Sequence, residues 1–332
     1  MAVIGTDFLT LADLQKRFEK DKIAQVIEIL NDTNEILEDV PWLECNDGTG
    51  HITTIRVGLP EPTWRKLNEG VLPKKSETMQ VRDTTGMLEA YGECDVRLAR
   101  LSKDENAFRL SEDVAQIEGM NQEFVSTLLY GDTRLTPERF FGLVPRFSTP
   151  SSDDAKSGYN ILNGGGAGDD NTSVWLVGWG PRAVHGIYPE GTKAGLSMKN
   201  LGEQTKTLSD GSMLQVLRTH YEWDCGLSVK DWRYVVRIAN IDVSNLGGSS
   251  AANLIHLMIS ASEMLPAGKS GVRPVFYCSR QVRTALRLQI LDKSNVNLTW
   301  DTVAGKRVLA FDDIPVKRVD AITSAESLVS FS

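Results

Sequence analysis

The sequence predicts an α+β fold in which a mainly helical first half precedes a mixture of strands and helices. The clearest helical pattern covers residues 105–130, where apolar residues recur every three or four positions. The clearest strand is Val174–Trp179, which is apolar throughout, as in a strand covered on both faces. A third observation is that residues 46–86 contain too few apolar residues to form a core of their own. We therefore expect this segment either to be mobile or to be covered by a neighbouring molecule.

The long helix has one apolar face and a defined end. Its stripe consists of Val114, Ile117, Met120, Phe124 and Leu128. Gly131 is the expected C-terminal cap, and Thr136–Glu138 then opens a single helical turn. An earlier amphipathic helical pattern runs from Thr10 and ends at Pro41.

The second half alternates strand and helix signals. Residues 148–172 are rich in Ser, Asp and Gly and are expected to form a flexible insertion. Residues 213–223 and 232–241 each alternate in polarity, which predicts a long β-hairpin over 213–241. Helices are expected at 249–265 and 279–291, with a strand at 275–277 between them.

The polar segment is expected to form two thin strands joined by a long tip. His51–Val57 follows the turn cluster Asn46–Gly50 and predicts the first strand, and Thr78–Val81 begins the return. The tip carries Trp64 beside Arg65, a pair typical of interface anchors. The alternative is a Trp64 side chain packed against its own chain.

Charge and composition narrow the function classes. The 332-residue chain has a net charge of −8, and its first 50 residues hold 11 acidic and 4 basic side chains. This balance argues against tight sequence-independent binding of nucleic acid, which requires Lys and Arg on the phosphates. No apolar run approaches the roughly 20 residues of a membrane span, and the N-terminus lacks the pattern of a secretion signal. The four cysteines form no C-x-x-C pair, so we expect buried free thiols and no metal or cofactor.

Three features imitate catalytic or ligand-binding motifs. Gly164–Gly168 has the composition of a phosphate loop, but two aspartates and a strand follow it, which favours a flexible linker. Ser249 lies between a strand and a helix, as a hydrolase nucleophile would, but the next histidine, His256, lies in the same helix. Capping of that helix by Ser249 or Ser250 is the favoured interpretation. The paired aspartates lack calcium-loop spacing.

Several segments resemble one known family. Leu59–Gly70, Leu129–Asp132, Pro137–Phe147, Trp223–Leu227 and Asp231–Ile241 are similar, in order and spacing, to segments of major capsid proteins of short-tailed double-stranded DNA phages. The group includes the epsilon-fifteen-like and related Bordetella phages. The match extends over nearly the whole chain.

The resemblance implies the Hong Kong 97-type capsid fold. Residues 1–45 would then be the N-terminal arm and 46–100 the extended loop, a β-hairpin lying over a neighbouring subunit. Residues 101–241 would be the peripheral domain, with 105–130 as its spine helix. Residues 242–332 would be the axial domain.

The resemblance also implies a non-enzymatic role in the virion. Identical subunits would form hexamers and pentamers of an icosahedral shell, assembled in the host bacterial cytoplasm with a scaffold, a portal and possibly a decoration protein. Packaged DNA would be contacted weakly and non-specifically, and no membrane is involved. The expected inter-subunit contacts in the loop are Trp64, Arg65, Asn68 and Glu69. Some shells of this fold carry a Lys–Asn cross-link, but its partner residues are not identifiable in this sequence.

Two alternatives remain at this point. One is an encapsulin-like cellular nanocompartment of the same fold, which would enclose a cargo enzyme instead of DNA. The more distant one is a serine hydrolase that uses the Ser249 region.

Overall fold

The structure is a computed structural model that describes residues 18–19, 22–23, 34–48, 50–101, 105–247, 252–266, 271–292, 298–303 and 306–331. The chain divides into two compact units. The first comprises residues 1–32, 87–124 and 195–224, and the second comprises 33–86, 125–194 and 225–332.

The strands and helices occur in the following order. The strands are β1 (Phe18–Glu19), β2 (Lys22–Ile23), β3 (Trp42–Glu44), β4 (Gly50–Gly58), β5 (Glu77–Asp95), β6 (Ile161–Asn163), β7 (Asn171–Trp179), β8 (Val184–Tyr188), β9 (Ser197–Thr207), β10 (Met213–Val229), β11 (Val235–Asp242), β12 (Arg273–Cys278), β13 (Leu298–Val303), β14 (Lys306–Phe311) and β15 (Ile314–Arg318). The α-helices are α1 (Val96–Leu101), α2 (Glu105–Tyr130), α3 (Leu143–Arg146), α4 (Leu254–Glu263) and α5 (Arg280–Asp292). Short 3-10 turns lie at Glu35–Glu38, Ser157–Asn160 and Trp232–Tyr234.

The second unit is built around strand β7, whose nine residues are all buried. It pairs antiparallel with β11 and β12, and its last residue pairs with the parallel strand β8. The sheet continues from β12 through β15 and β14 to β13, while β3 adds to β8. Burial of every β7 side chain confirms the strand that the continuous apolar run predicts.

The core of the second unit lies between this sheet and two helices. Helix α4 contributes Leu254, Met258 and Ala261, and α5 contributes Val282 and Leu286. They pack on the apolar side chains of strands β7, β11, β12, β14 and β15. The three- and four-residue spacing on each helix produces the single apolar stripe that this packing requires.

The first unit is centred on α1, the beginning of α2 and the hairpin formed by β9 and β10. Phe108 of α2 packs with Cys94, Leu98 and Leu217 in a small core. Phe124 stacks on Trp223 with ring centroids 4.6 Å apart. From Leu217 to Trp223, alternate residues of β10 are buried, which is the two-residue period of a strand with one covered face.

Helix α2 has the predicted bounds, Glu105–Tyr130. Met120, Phe124 and Leu128 of the predicted stripe are buried, whereas Val114 is 46% exposed. Gly131 directly follows the last helical residue, and its amide makes an ordinary helical bond to the Thr127 carbonyl oxygen at 2.8 Å. The helical pattern predicted within residues 10–41 lies largely outside the described residues. The described residues do not follow it, since Phe18–Glu19 and Lys22–Ile23 are strands and Glu35–Glu38 is a 3-10 turn.

The predicted β-hairpin over residues 213–241 is wrong. Strand β10 forms its hairpin with β9, from Met213 opposite Thr207 to Glu222 opposite Ser197. The chain turns after β10 at Trp232–Tyr234, where the Asp231 side chain accepts from the Arg233 amide. Strand β11 then enters between β6 and β7. The Leu208 amide donates to the Ser212 carbonyl oxygen at 2.8 Å across the β9–β10 turn, where Gly211 adopts φ +82°.

The expectation of a flexible linker and boundary at residues 148–172 also needs correction. This segment contains a 3-10 turn and strand β6, and both of its ends belong to the second unit. The Gly164 and Gly166 amides donate to the carbonyl oxygens of Ala239 and Asn240, both at 2.7 Å. A Cβ at Gly164 would lie 2.7 Å from the Asn240 oxygen, so glycine here permits close backbone approach.

Both late helices are present, and the first starts later than predicted. Helix α4 begins at Leu254 and is capped by Asn253, whose side chain accepts from the His256 amide. Capping by Ser249 or Ser250 is therefore wrong for this helix, and both serines lie outside the described residues. Helix α5 begins at Arg280, directly after Ser279, and the Val282 amide donates to the Ser279 hydroxyl oxygen at 3.5 Å, which makes Ser279 its cap.

Candidate assembly surface

The polar segment of the sequence forms an extended β-hairpin. Strands β4 and β5 pair antiparallel from Gly50 opposite Thr84 to Gly58 opposite Glu77, with a register shift near the tip. Residues 59–76 connect the strands and form no strand or helix of their own. The structure thus confirms the predicted two strands and long tip.

The root of this hairpin is anchored by a nearly buried ion pair. Asp83 of β5 accepts from the Arg146 guanidinium at 2.7 Å, and their side chains are 3% and 13% exposed. Arg146 also donates to the Phe141 carbonyl oxygen at 3.1 Å and lies over the Phe141 ring, 4.9 Å from its centroid. Buried charges interact strongly with a fixed partner. This pair therefore holds β5 at the hairpin root against the α3 segment of the same unit.

A turn at the start of β4 adds a second anchor. The Ile52 amide donates to the Asn46 side-chain oxygen at 2.7 Å, and the Asn46 side-chain nitrogen donates to the Ile52 carbonyl oxygen at 2.8 Å. A Cβ at Gly50 would lie 2.6 Å from the Asp83 carbonyl oxygen, so this position requires glycine. Backbone and side chains together hold the root in one register.

The tip, by contrast, offers its apolar side chains to solvent. Trp64 is 102% exposed, Leu67 93% and Leu72 85%. Scattered exposed apolar residues are ordinary, but a contiguous group of large ones marks an interaction site. The alternative of Trp64 packed against its own chain is therefore wrong.

The predicted contact residues all lie on this exposed tip. Trp64, Arg65, Asn68 and Glu69 are exposed, and the Glu69 amide closes a turn on the Lys66 carbonyl oxygen at 3.3 Å. Asn68 adopts φ +66°, a left-handed conformation that asparagine tolerates. An ion pair between Lys74 and Glu61, 2.7 Å long, links the two sides of the tip.

The residues at the hairpin root were not predicted. Asp83 and Arg146 are 63 positions apart, and neither belongs to a spaced motif. Arg146 does fall within the family-like segment Pro137–Phe147, which was the only signal pointing to it.

The described part of the chain contains neither a cluster of metal ligands nor a membrane-spanning helix. No group of three or more His, Cys, Asp or Glu side chains there is arranged to hold a metal ion. None of the described helices is long and apolar enough to cross a bilayer. His256 lies on α4, whereas Ser249 is outside the described residues.

Comparisons with known proteins identify the family. A family model described as Major capsid protein GP7 matches residues 19–330. No curated protein sequence matches the chain. A chain in the structure of bacteriophage Epsilon15 is 35% identical, with a TM-score of 0.78 and coverage of 99% of both chains.

More distant solved structures are also similar. The capsid of bacteriophage JBD30 is 9% identical, with a TM-score of 0.49 over 89% of this chain and 93% of that one. The SrpI encapsulin of Synechococcus elongatus is 10% identical, with a TM-score of 0.44 over 70% and 96% of the two chains. The fold is of the Hong Kong 97 type, as the sequence resemblance implies. The family model matches nearly the whole chain, and the Epsilon15 chain is similar over almost its full length. This chain therefore belongs to the family of phage major capsid proteins.

Proposed function

We propose that the hairpin tip, residues 59–76, joins neighbouring subunits of the shell. As a major capsid protein, the chain self-associates into the icosahedral shell of a tailed phage. The observation that carries the proposal is the full exposure of Trp64 at the end of an arm whose root is anchored. Such a side chain gains contact area only when another molecule covers it.

The contact residues have complementary parts. Trp64 and Leu67 supply apolar area, while Arg65, Asn68 and Glu69 supply charges and hydrogen-bonding groups around it. An aromatic anchor surrounded by polar groups is the usual anatomy of a protein interface. The acceptor is a second copy of this chain, arranged in hexamers and pentamers.

The energetic logic favours many modest contacts. Each subunit contributes the same arm and presents the same acceptor, so a closed shell repeats one contact around its symmetry axes. Once a subunit is held by one neighbour, its other contacts form at high effective concentration. Each arm can therefore bind weakly while the complete shell is stable.

The remaining roles follow from capsid function. Assembly takes place in the host bacterial cytoplasm, with a scaffold, a portal and possibly a decoration protein as partners. The chain has no catalytic role and requires no cofactor. Its net charge of −8 suits a shell that touches packaged DNA weakly and non-specifically.

Deletion of residues 58–75, with a short turn joining the two strands, tests this proposal. The variant should unfold cooperatively at nearly the wild-type temperature, because the deleted side chains are exposed. Size-exclusion chromatography with light scattering and electron microscopy should show subunits without shells. Normal particles from the deletion variant would contradict the role of the tip.

A further inference from the structure

Two histidines lie face to edge beneath the root of the extended hairpin. His51 of β4 and His185 of β8 have ring centroids 5.7 Å apart and an interplanar angle of 88°. Their exposed fractions are 8% and 0%. The pair therefore connects the first strand of the arm to the sheet of the second unit.

The imidazoles lack the hydrogen bonds that buried polar groups ordinarily have. Among the described residues, three ring nitrogens lack a hydrogen-bond partner of ordinary geometry. They are Nδ1 and Nε2 of His185 and Nδ1 of His51. Most buried polar atoms in proteins are paired, and an unpaired one calls for an explanation. A positive charge on these rings is therefore weakly compensated, by Asp83 beside His51 and by the Gly180 backbone beside His185.

The charged groups around the pair are unequal. Lys230, just after β10, faces both rings, and burial lowers its own pKa. Asp83 lies opposite His51 in the β4–β5 register, but Arg146 already engages its carboxylate. The carboxylate that compensates a charge on His51 is thus shared with a guanidinium.

The Cys45 thiol, which follows β3, is a titratable group that interacts with Asp83. Burial raises its pKa to about 11, with further contributions from Asp47, Asp83 and Glu44, so it is neutral at physiological pH. The β10 residue opposite His185 is Ser228, which carries no charge. The neutral Ser228 thus lies opposite His185, and the cationic Lys230 follows β10 beside both rings.

The pKa values follow this environment. Burial, then Lys230 and His51, lowers the pKa of His185 from 6.5 to about 3, while the Gly180 backbone acts in the opposite direction. Burial and Lys230 also lower the pKa of His51, and Asp83 partly opposes them. Both rings are therefore neutral while the root is closed at pH 7.

We propose that the His51–His185 pair is an acid-sensitive hinge, which holds the hairpin root closed near neutral pH and releases it when the solution is acidified. In an open root the rings reach water and take up protons near pH 6.5, whereas in the closed root they do not. Acidification below pH 6.5 thus increases the population of the open state relative to the closed state. Through His185 alone, its population relative to the closed state rises about tenfold for each pH unit down to about pH 3.

Opening of the root takes place within one subunit and does not depend on the proposed contact of the tip with a neighbour. A tip that failed to bind a neighbour would leave the hinge unaffected. An insensitive hinge would likewise leave the tip contact possible. Shell formation therefore tests the tip contact, and hydrogen exchange of unassembled subunits tests the hinge.

Hydrogen exchange read by mass spectrometry on unassembled full-length subunits tests the hinge between pH 7.5 and 4.5. Peptides from β4 and β8 are compared with a β12 peptide of the same unit, which cancels the general pH dependence of exchange chemistry. We expect exchange of the β4 and β8 peptides to accelerate relative to β12, by about a hundredfold at pH 4.5. A constant ratio across this range would overturn the proposal.

Substitution separates the histidine pair from other acid-sensitive groups. His185→Phe keeps a ring in the buried site without a titratable nitrogen, so the relative exchange should lose the roughly hundredfold rise that His185 contributes. His220→Gln, which changes a histidine of the first unit beside Glu89, should retain it. If His185→Phe kept the wild-type pH dependence, the hinge would be assigned to the wrong group. The wild-type ratio decides the matter even where the variant does not fold.

Discussion

Arg237 and Glu326 form an ion pair inside the second unit, with 2.8 Å between Nη2 and Oε2. Both residues are buried, at 2% and 6% exposure. Arg237 also donates to the Phe147 carbonyl oxygen at 2.9 Å, and Glu326 accepts from the Tyr130 hydroxyl at 2.6 Å. The pair therefore fastens the segment after β15 to β11 and to the end of helix α2.

Removal of one partner of this pair should be costly. Glu326→Ala leaves the Arg237 guanidinium buried without its counter-charge, and we expect a loss of about 3–5 kcal/mol in the free energy of unfolding. Urea denaturation of unassembled subunits at pH 7 measures it. Lys156→Ala is the matched control, since its pair with Asp153 is solvent-exposed and should contribute at most about 1 kcal/mol. Equal stability of the two variants would refute a central role for Glu326.

Trp64→Ala should weaken assembly without weakening the fold. The side chain is wholly exposed in the subunit, so its removal should change the free energy of unfolding by no more than about 0.5 kcal/mol. A hot-spot tryptophan contributes about 2 kcal/mol or more to its interface, so the concentration needed for shell formation should rise roughly thirtyfold per contact. Light scattering against subunit concentration measures this threshold. Leu135→Ala, at a position 82% exposed outside the tip, should leave it unchanged.

Two glycines of the helix α2 region should respond in opposite directions to alanine. A Cβ at Gly131 would press on the Phe140 carbonyl oxygen and lie 2.6 Å from the Thr127 carbonyl oxygen. Gly131→Ala should therefore destabilise the subunit by at least about 2 kcal/mol. Gly119 has no atom within 4 Å of such a Cβ, so Gly119→Ala should stabilise the helix by about 0.5–1 kcal/mol. Thermal unfolding of both variants would show whether their shifts have opposite signs.

The four cysteines should be unreactive in the folded subunit. All are free and buried, as the sequence predicts, and burial raises the pKa of Cys278 to about 12. Because the thiolate is the nucleophile, Cys45 with its pKa of about 11 should react about a hundredfold more slowly than an unperturbed thiol at pH 8. A disulfide reagent should count four thiols in denaturant and almost none without it. Rapid native labelling of Cys45 would contradict its burial.

The same thiols predict a loss of stability in alkali. In the unfolded chain they release protons near pH 9, whereas in the folded chain Cys45 retains its proton to about pH 11. Their contribution to folding is complete below pH 9 and is lost as the pH rises through this window. Urea titrations at pH 8 and pH 10 measure the difference. A Cys45→Ala variant should lose part of this alkaline dependence.

Elements with local signals were predicted well. The bounds of helix α2 follow from the spacing of its apolar residues and from Gly131, all within one stretch of chain. Strand β7 follows from its unbroken apolar run. The exposed tip with Trp64 follows from a segment too polar to cover itself. In each case the information lies in neighbouring residues, because side-chain periodicity reports directly on burial.

The local sequence pattern does not predict which strands pair with each other. Strands β10 and β11 both alternate in polarity, yet β10 pairs with β9, and β11 lies between β6 and β7. Alternation shows which face of a strand is buried, and many pairings satisfy it equally. The competition among turn closure, backbone hydrogen bonds and core packing selects one of them.

The sequence by itself determined the α+β class, the long helix, the buried central strand and an exposed tip too polar to form its own core. Only the tertiary structure decided what anchors the arm, because Asp83 with Arg146 and His51 with His185 come from separate parts of the chain. Such pairs have no spacing rule. Their chemistry arises when burial removes water from charged and titratable groups, and burial depends on the whole packed unit.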